Sequence, residues 1–483
     1  MSTYLKNYFG IDFGTTNSAT VGLNVIGEDS TDIKYGDNEG RPMPSVVAIN
    51  KETGEVYTGR DAWNKKMELA ESCVYISSIK SILDSDKTTE IAGKSWTTTD
   101  IAAEVFKALK KTVSERTGTE LQEATVAIPI GFNAEKRERL RSAAAMADIN
   151  ITSFISEPTA AYFANYDMLK SASTVAIFDW GGGTLDVSII QNANGKISEL
   201  ATAGMNIAGD DLDKKIARRI HSRIARKHDK QIAFEDMPHS AQDMLLVRSE
   251  RAKRALADDD IATISMLSYG EYGACKETLD YDWFYELVNP EVEQAITCLK
   301  QAIKESGVGL ANIDRIVMVG GSSNLRPLLE QMEREYGDLL FFPEETMWNV
   351  GQGAAKLALN PGAYYSNQSI GLTLSDGSYF ELLAVDTELK NWSKSVNFAI
   401  TDTSDEARFV FSGSTDINES SLKYRSINVP AYNFLQEYIE LTVFVDRNMV
   451  FRAKARSTMR PDEFRRFWNY EQLKCYYKLP GQR

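Results

Sequence analysis

Cysteine and histidine are scarce in this chain. Four cysteines, Cys73, Cys275, Cys298 and Cys475, are scattered through 483 residues with no paired spacing. That pattern excludes a dense disulfide framework or a cysteine-based zinc motif and reads as reduced thiols. The three histidines, His221, His228 and His239, lie near one another in sequence without cysteine neighbours. They read as surface positions on charged helices rather than as a metal site. Long apolar runs are missing too. No stretch approaches the ~20 residues of a membrane span, and the N-terminal MSTYLKNYFG has no apolar signal core. The expectation is a cytoplasmic protein that does not engage membranes. Positive charge is in deficit, with 54 Lys and Arg against 68 Asp and Glu and a formal net charge of −14. This argues against general nucleic-acid binding but leaves open a small phosphate-bearing ligand, which depends on local donors.

What is present is an ordinary globular composition, 43% hydrophobic and 25% charged, on a chain long enough for roughly two to four domains. Its organising stretch is TVAIFDWGGGTLDV, Thr174–Val187. The apolar run Val175–Phe178 leads into Asp179, then Gly181, Gly182 and Gly183, the Thr184 hydroxyl and a second apolar run, Val187–Ile190. Strand-length runs rich in β-branched residues on either side of a glycine turn predict a hairpin. Successive bare N–H groups in such a turn make an anion-binding concavity. Asp179 at its mouth is placed to hold a divalent metal, directly or through waters. An ordinary hairpin turn shows the same pattern, but a second copy favours the binding site. FGIDFGTTNS, Phe9–Ser18, repeats the order of apolar strand, Asp12, Gly14, Thr15 and Thr16. Two such hairpins facing one another suggest a duplicated, two-lobed clamp for a polyphosphate and its Mg²⁺.

Around the hairpins, FGIDF, SATVGLNVI and PSVVAI predict strands, with DNEGRP (Asp37–Pro42) as a turn and Ala62–Ser72 helical in pattern. Val74–Leu83 carries Lys80 alone in an uncharged stretch, where a snorkelling surface lysine is the ordinary explanation. A Thr-Thr-Asp cap opens a helix over Thr98–Thr117, and a strand over Glu123–Ile130 and a charged helix over Asn133–Ala147 follow. The strand Ile149–Ile155 runs into Ser156-Glu157-Pro158. Proline suits a first helical turn, so Glu157 sits at a strand-to-helix junction, able to point across a cleft or simply to complement a helix N-terminus. Asp210–Lys227, Ser240–Leu256 and Asn289–Ser306 (opened by an Asn-Pro cap) predict helices, and Ala262–Leu267 a strand. RIVMV (Arg315–Val319), the turn Gly320-Gly321-Ser322-Ser323 and a helix over Leu325–Tyr336 make a third strand–glycine–helix junction, suited to an anion or a ribose–phosphate edge. Val350–Leu359 reads as a closing helix. Beyond Asn360-Pro361-Gly362 period-two alternation takes over in SIGLTL, YFELLAV, SVNFAI, ARFVFSG, YIELTVFV and MVFRAKA, predicting a mainly antiparallel β domain. Pro461–Trp468 has room for a short helix.

With both hairpins, the SEPTAA junction and the VGGSS turn in hand, the chain resembles the seventy-kilodalton heat-shock chaperones, the DnaK-type family of the actin-like ATPase superfamily. Ile11–Ser18 resembles the family's first phosphate segment, Asp179–Asp186 its second and Arg315–Ser323 its adenosine segment. Hexokinase-type proteins and actin match less well. The resemblance implies an α/β fold: a two-lobed ATPase domain over 1–360, a linker over 361–368 and a small antiparallel β domain over 369–483. It implies ATP or ADP with Mg²⁺ as cofactors, and K⁺ as a further candidate. Lys80 matches the family's catalytic lysine, Glu157 the acid that positions water, Thr184 the hydroxyl beside the γ-phosphate, and Asp12 and Asp179 the carboxylates around hydrated Mg²⁺. Gly14, Thr15, Thr16, Asn17, Gly181, Gly182, Gly183, Gly209, Gly320, Gly321 and Ser322 match the nucleotide cradle. Glu250 and Lys253, three apart on one helical face, resemble the pair that grips the ribose and adenine side; an exposed helix ion pair is the plainer account. Pro129 and Arg137 match residues through which the family's ATPase domain is said to signal. The chain departs from the pattern at Asn324, where the family has an adenine-stacking arginine, with Arg326 two residues later a candidate either to replace it or not, and at Ala257 and Ala208. Pro361–Gln368 lacks the leucine-rich linker, and the family's helical lid has no counterpart before Arg483.

The first reading is an ATP-dependent stress-response chaperone whose hydrolysis cycle switches a β domain's affinity for extended apolar peptides. Its implied partners are unfolded segments, a J-domain co-chaperone and a nucleotide exchange factor. The second is a nucleotide-controlled module that binds one dedicated protein. A sugar or acid kinase on the same fold is the third.

Overall fold

The computed structural model describes residues 6–26, 29–37, 40–65, 72–228, 232–359, 364–400, 405–413, 425–431, 437–459, 466–471 and 473–478. The chain divides into two compact units, 1–191 with 200–359 and 192–199 with 360–483.

In the first unit Lys6–Asp12 (β1) pairs antiparallel with Asn17–Ile26 (β2), and β2 with Asp29–Lys34 (β3). After the helix Thr98–Thr117 (α1), Glu123–Ile128 (β4) joins β1 in parallel. After Ala134–Ala145 (α2), Asn150–Ser156 (β5) joins β4 and leads into Glu157–Ala164 (α3). The plan then recurs. Thr174–Trp180 (β6) pairs antiparallel with Leu185–Ala193 (β7), with Lys196–Met205 (β8) beyond it. Gly209–Lys227 (α4), His239–Ala255 (α5), the hairpin of Ile261–Met266 (β9) and Cys275–Asp280 (β10), and Tyr281–Glu305 (α6) follow. Arg315–Val319 (β11) returns parallel to β6, Arg326–Tyr336 (α7) leads to Leu340–Phe341 (β12), and Asn349–Ala358 (α8) closes the unit. The strand orders are β5-β4-β1-β2-β3 and β12-β11-β6-β7-β8. In each, a central strand has a parallel neighbour on one side and a hairpin partner on the other.

Local chemistry explains these elements. Thr97 and Asp100 close a reciprocal capping box on α1, and Gly118 ends that helix in the left-handed region. The buried stripe Ile101, Val105, Phe106, Leu109 and Val113 has helical spacing. Phe106 stacks on Phe13 with ring centroids 5.0 Å apart, anchoring the residue that follows Asp12. In β6, Phe178 and Trp180 are wholly buried, and Trp180 Nε1 donates to the Ile207 carbonyl at 3.2 Å.

Three expectations about helices need correction. His221 is not at the surface: it is 3% exposed, with Nδ1 2.8 Å from Tyr269 Oη and Nε2 2.8 Å from the Ile232 carbonyl. It lies on the apolar face of α4, among the rings of Phe234, Tyr269 and Tyr272. The helix expected to open at Asn289-Pro290 begins at Tyr281, where the Asp280 side chain caps Trp283 N–H, so Pro290 lies inside it. A proline there forgoes one backbone hydrogen bond, and the buried row Phe284, Leu287, Val288, Val292 and Leu299 holds the helix through it. Third, 466–470 is a strand and not part of a short helix, while 461–465 lie outside the described residues. Of the Asp37–Pro42 turn, 38–39 lie outside them, and of the Ala62–Ser72 stretch, 66–71 do; a helix spans Gly59–Asn64.

The second unit is antiparallel. Its strands are Tyr364–Ser366 (β13), Ile370–Thr373 (β14), Tyr379–Leu383 (β15), Ser393–Ala399 (β16), Glu406–Ser412 (β17), Arg425–Pro430 (β18), Tyr438–Val445 (β19), Phe451–Ser457 (β20), Arg466–Tyr470 (β21) and Cys475–Lys478 (β22). Two four-stranded sheets, β15-β14-β17-β18 and β16-β19-β20-β21, share one core. Inside it the Phe411 and Trp468 rings stack with centroids 4.1 Å apart. Residues 475–478 form a smaller ribbon, pairing with 196–198 on one side and 364–366 on the other. The stretch expected as a linker therefore contains a strand at 364–366, while 361–363 lie outside the described residues.

Candidate active site

Asp12 ends β1 and Asp179 stands at the end of β6, each beside a parallel strand, opposite Ala127 and Val319 respectively. The turn after each strand is held from outside. Ser45 N–H donates to Thr16 O at 2.9 Å and Ser45 Oγ to Gly14 O at 2.8 Å. Gly181 N–H closes the second turn on Thr184 O at 2.9 Å, and Gly209 and Asp210 N–H donate to the carbonyls of Gly181 and Gly182. The two turns meet: a Cβ on Gly182 would lie 2.1 Å from Thr16 Oγ1, and one on Gly183 2.8 Å from Thr15 Cγ2. Thr16 Oγ1 also lies 3.3 Å from Asp210 Oδ2.

Lys80 follows the strand Cys73–Ile76 on a turn that Ser78 begins with a left-handed φ of 54°. Ser81 N–H returns to Ser78 O at 3.0 Å, and this turn directs Lys80 inward to an ion pair with Glu157. Both are buried, 6% and 7% exposed. Glu157 is held at the first position of α3 by the Ser156 cap and Pro158. Burial pulls the Lys80 pKa down, but the Glu157 and Asp12 carboxylates outweigh it and hold the ammonium above its ordinary value. Burial, then Glu157, push Asp12 up to about 7 against the opposing pull of Lys80. Asp179 is raised well above its usual range by burial, Glu157, Asp186 and Asp12. Thr184 Oγ1 donates to Asp186 Oδ2 at 3.0 Å.

At the far side of the hairpins, Gly320 has φ +83°, and a Cβ there would lie 2.5 Å from Asp179 Oδ1. Ser322 Oγ donates to Gly181 O at 2.7 Å, joining the third turn to the second. Glu250 and Lys253 do not pair with each other. Glu250 binds Arg254, whereas Lys253 Nζ is buried against Gly209 O and Asp213, each at 2.9 Å. Arg326 lies over the Tyr281 ring at 3.9 Å and binds Asp260 and Glu330. Arg137 Nε donates to Phe132 O at 2.8 Å, and Phe132 N–H to Pro129 O at 3.1 Å. A cleft of about 770 Å³ opens beside the hairpins, lined by Thr15, Lys80, Phe132, Thr184, Asp186 and Asp210 among others.

This site has several carboxylates and one central ammonium. Among the described residues no three His, Cys, Asp or Glu come close enough to share an ion directly. Oxygen donors that feel each other's charge without converging suit a hard divalent cation held through its waters, and the open glycine turns suit phosphate. The residues therefore fit a magnesium–nucleotide complex.

The family model described as "Hsp70 protein" matches residues 8–339. The chain belongs to the Hsp70 family. Hsp70 proteins are ATP-hydrolysing chaperones that bind ATP or ADP with Mg²⁺ and engage peptides and co-chaperones. Against that family, the Arg326 guanidinium of this chain is already engaged by Asp260, Glu330 and Tyr281, and Asn324 closes a short 3-10 turn. Sequence reasoning passed over Asp186, Asp210 and Asp213. A signal existed in the second hairpin, where Asp186 stands at the start of the strand, two residues after Thr184, and accepts its hydroxyl. Among the described residues no helix is long and apolar enough to cross a membrane.

Proposed function

We propose that this Hsp70 hydrolyses ATP in the cleft of residues 1–360 and uses the cycle to switch the affinity of the β domain, residues 369–483, for extended apolar peptides. The observation that carries the reading is the buried Lys80–Glu157 pair beside Asp12, with Lys80 lining a cleft that Thr184 also lines. Asp12 and Asp179 would hold hydrated Mg²⁺, which when bound supplies charge neutralisation at the phosphate oxygens. Lys80, kept protonated by its carboxylate neighbours, offers N–H donors toward the γ-phosphate and the attacking water. Glu157 accepts from that water and fixes its orientation. Thr184 presents its hydroxyl at the same end, anchored by Asp186. Backbone N–H groups of the two turns, apart from that of Gly181, which closes its own turn on Thr184 O, would be offered to the phosphates. Phosphoryl transfer to water depends on such positioning and charge stabilisation rather than on a strong nucleophile. Ser322, Gly320 and Lys253 stand on the ribose side.

In the β domain, an extended peptide would be recognised by main-chain hydrogen bonds and by pockets for alternate side chains. The test is fluorescence anisotropy of a labelled, unstructured, Leu-rich peptide titrated with the protein in ADP and in ATP. Clearly weaker binding in ATP supports the reading. ATP hydrolysis without peptide binding in either state would replace it with a module for one dedicated partner. Equal binding in both would overturn the switch.

A further inference from the structure

Lys253 is held more tightly than a residue kept free for a ligand. Its ammonium donates to Gly209 O and to Asp213 Oδ2, both at 2.9 Å and both on α4, four residues apart on one face. Nζ lies at 2.9 Å from Asp213 Oδ1 as well, so the carboxylate faces the ammonium with both oxygens. Lys253 and Asp213 are 9% and 7% exposed, so neither charge is bathed in solvent. An ammonium has three donors; two are spent here and one remains.

The place where Lys253 is pinned is a junction. The first turn of α4 donates Gly209 N–H to Gly181 O and Asp210 N–H to Gly182 O. Ser322 Oγ reaches the same Gly181 carbonyl. A Cβ on Gly209 would lie 2.6 Å from Ser322 Oγ and 3.2 Å from Lys253 Nζ. The triple-glycine turn, the Gly320–Ser322 turn and the end of α5 thus meet on one turn of α4, with the Lys253 ammonium fixing the last of them.

We propose that Asp213 is a positioning residue for nucleotide binding, locking Lys253 onto α4 so that its third donor and the two turns keep one spacing. The inference rests on the nucleotide reading of this site. Asp213 must be ionised to do this. Burial raises it to about 6, with Glu250 of α5 and Asp210 of its own helix adding to the rise, while the Lys253 charge and hydrogen bond oppose it. The lock is therefore engaged above about pH 6 and released below it.

The experiment measures binding of a fluorescent ADP, together with KM and kcat for ATP, from pH 5.5 to 8 in wild type, Asp213→Asn, Asp213→Glu and Lys253→Gln. Loss of a charge-assisted hydrogen bond gives Asp213→Asn about tenfold weaker ADP binding and a similar rise in KM, with kcat within about twofold. The ratio of its affinity to that of wild type should shrink as pH falls through about 6, and Asp213→Glu should recover part of the loss. Adding Asp213→Asn to Lys253→Gln should cost nothing further. Unchanged Kd and KM, a pH-independent ratio, or an equal cost in the Lys253→Gln background overturns the proposal. If Asp213→Asn does not fold, wild-type affinity carries the decision: it must fall between pH 7 and 5.5 more steeply than that of Lys253→Gln. Wild type that binds no ADP at any pH would overturn the nucleotide reading itself, and this inference with it.

Discussion

Gly182 and Thr16 stand so close that a Cβ on the glycine would lie 2.1 Å from the threonine Oγ1. The turn after β6 and the turn after β1 thus rest directly on one another, although about half of the first unit's length separates them in sequence. Gly182→Ala should force the turns apart and cost about 1–3 kcal/mol of stability, the range for an inserted methyl in a tight site. ADP affinity should fall with it. Calorimetric melting with and without ADP checks both; an unchanged ADP-induced shift would contradict the contact.

Lys80→Ala should retain nucleotide binding and lower ATP turnover by about 100-fold or more, as removal of a preorganised charge at a transition state does. It also leaves Glu157 buried without its partner, so the melting temperature should drop too. Lys80→Ala with Glu157→Gln should recover stability but not turnover. Near-normal turnover in the single variant would sink the role given to Lys80.

Asp12, raised to about 7, is partly protonated in the free protein at neutral pH. A hydrated divalent cation favours the ionised form, so binding Mg·ADP at pH 7 should release protons and affinity should rise with pH through about 7. Titration calorimetry in two buffers of different ionisation enthalpy reads the release directly. Stability of the free protein runs the other way. The folded state holds this proton more tightly than the unfolded chain, so the Asp12 contribution is present below the unfolded value of 3.8 and lost as pH rises to about 7.

Trp468 is 8% exposed and stacks on Phe411 inside the β sandwich. Trp468→Ala should cost that unit about 3–5 kcal/mol and leave ADP affinity within about twofold. Peptide anisotropy and ADP fluorescence, measured on one preparation, would separate the two effects.

The duplicated hairpins were legible because each is local: an apolar run, a carboxylate and a glycine turn lie within about a dozen residues. Glu157 was legible for the same reason, marked by Ser156 and Pro158. Lys80 was not, except through resemblance. Its direction depends on a left-handed serine two residues earlier and its partner lies 77 positions away. Arg326 shows the same limit, since Asp260, which binds it, is 66 positions distant. The false start at Asn289 arose because Asn-Pro opens a helix and interrupts one with identical letters; only the packing of Phe284 and Val288 decides. Asp213 carried no local mark, for its importance lies in facing the end of another helix.

The left-handed turn at Ser78 narrows what natural variation the position can accept. Glycine, asparagine and aspartate enter that region readily, while valine and isoleucine meet their own backbone. Descendants of this gene should therefore drift among the small and amide-bearing residues at 78 while Ser77, exposed beside it, wanders freely. A lineage that fixed a β-branched residue at 78 would have to move Lys80, and with it the ammonium in the cleft.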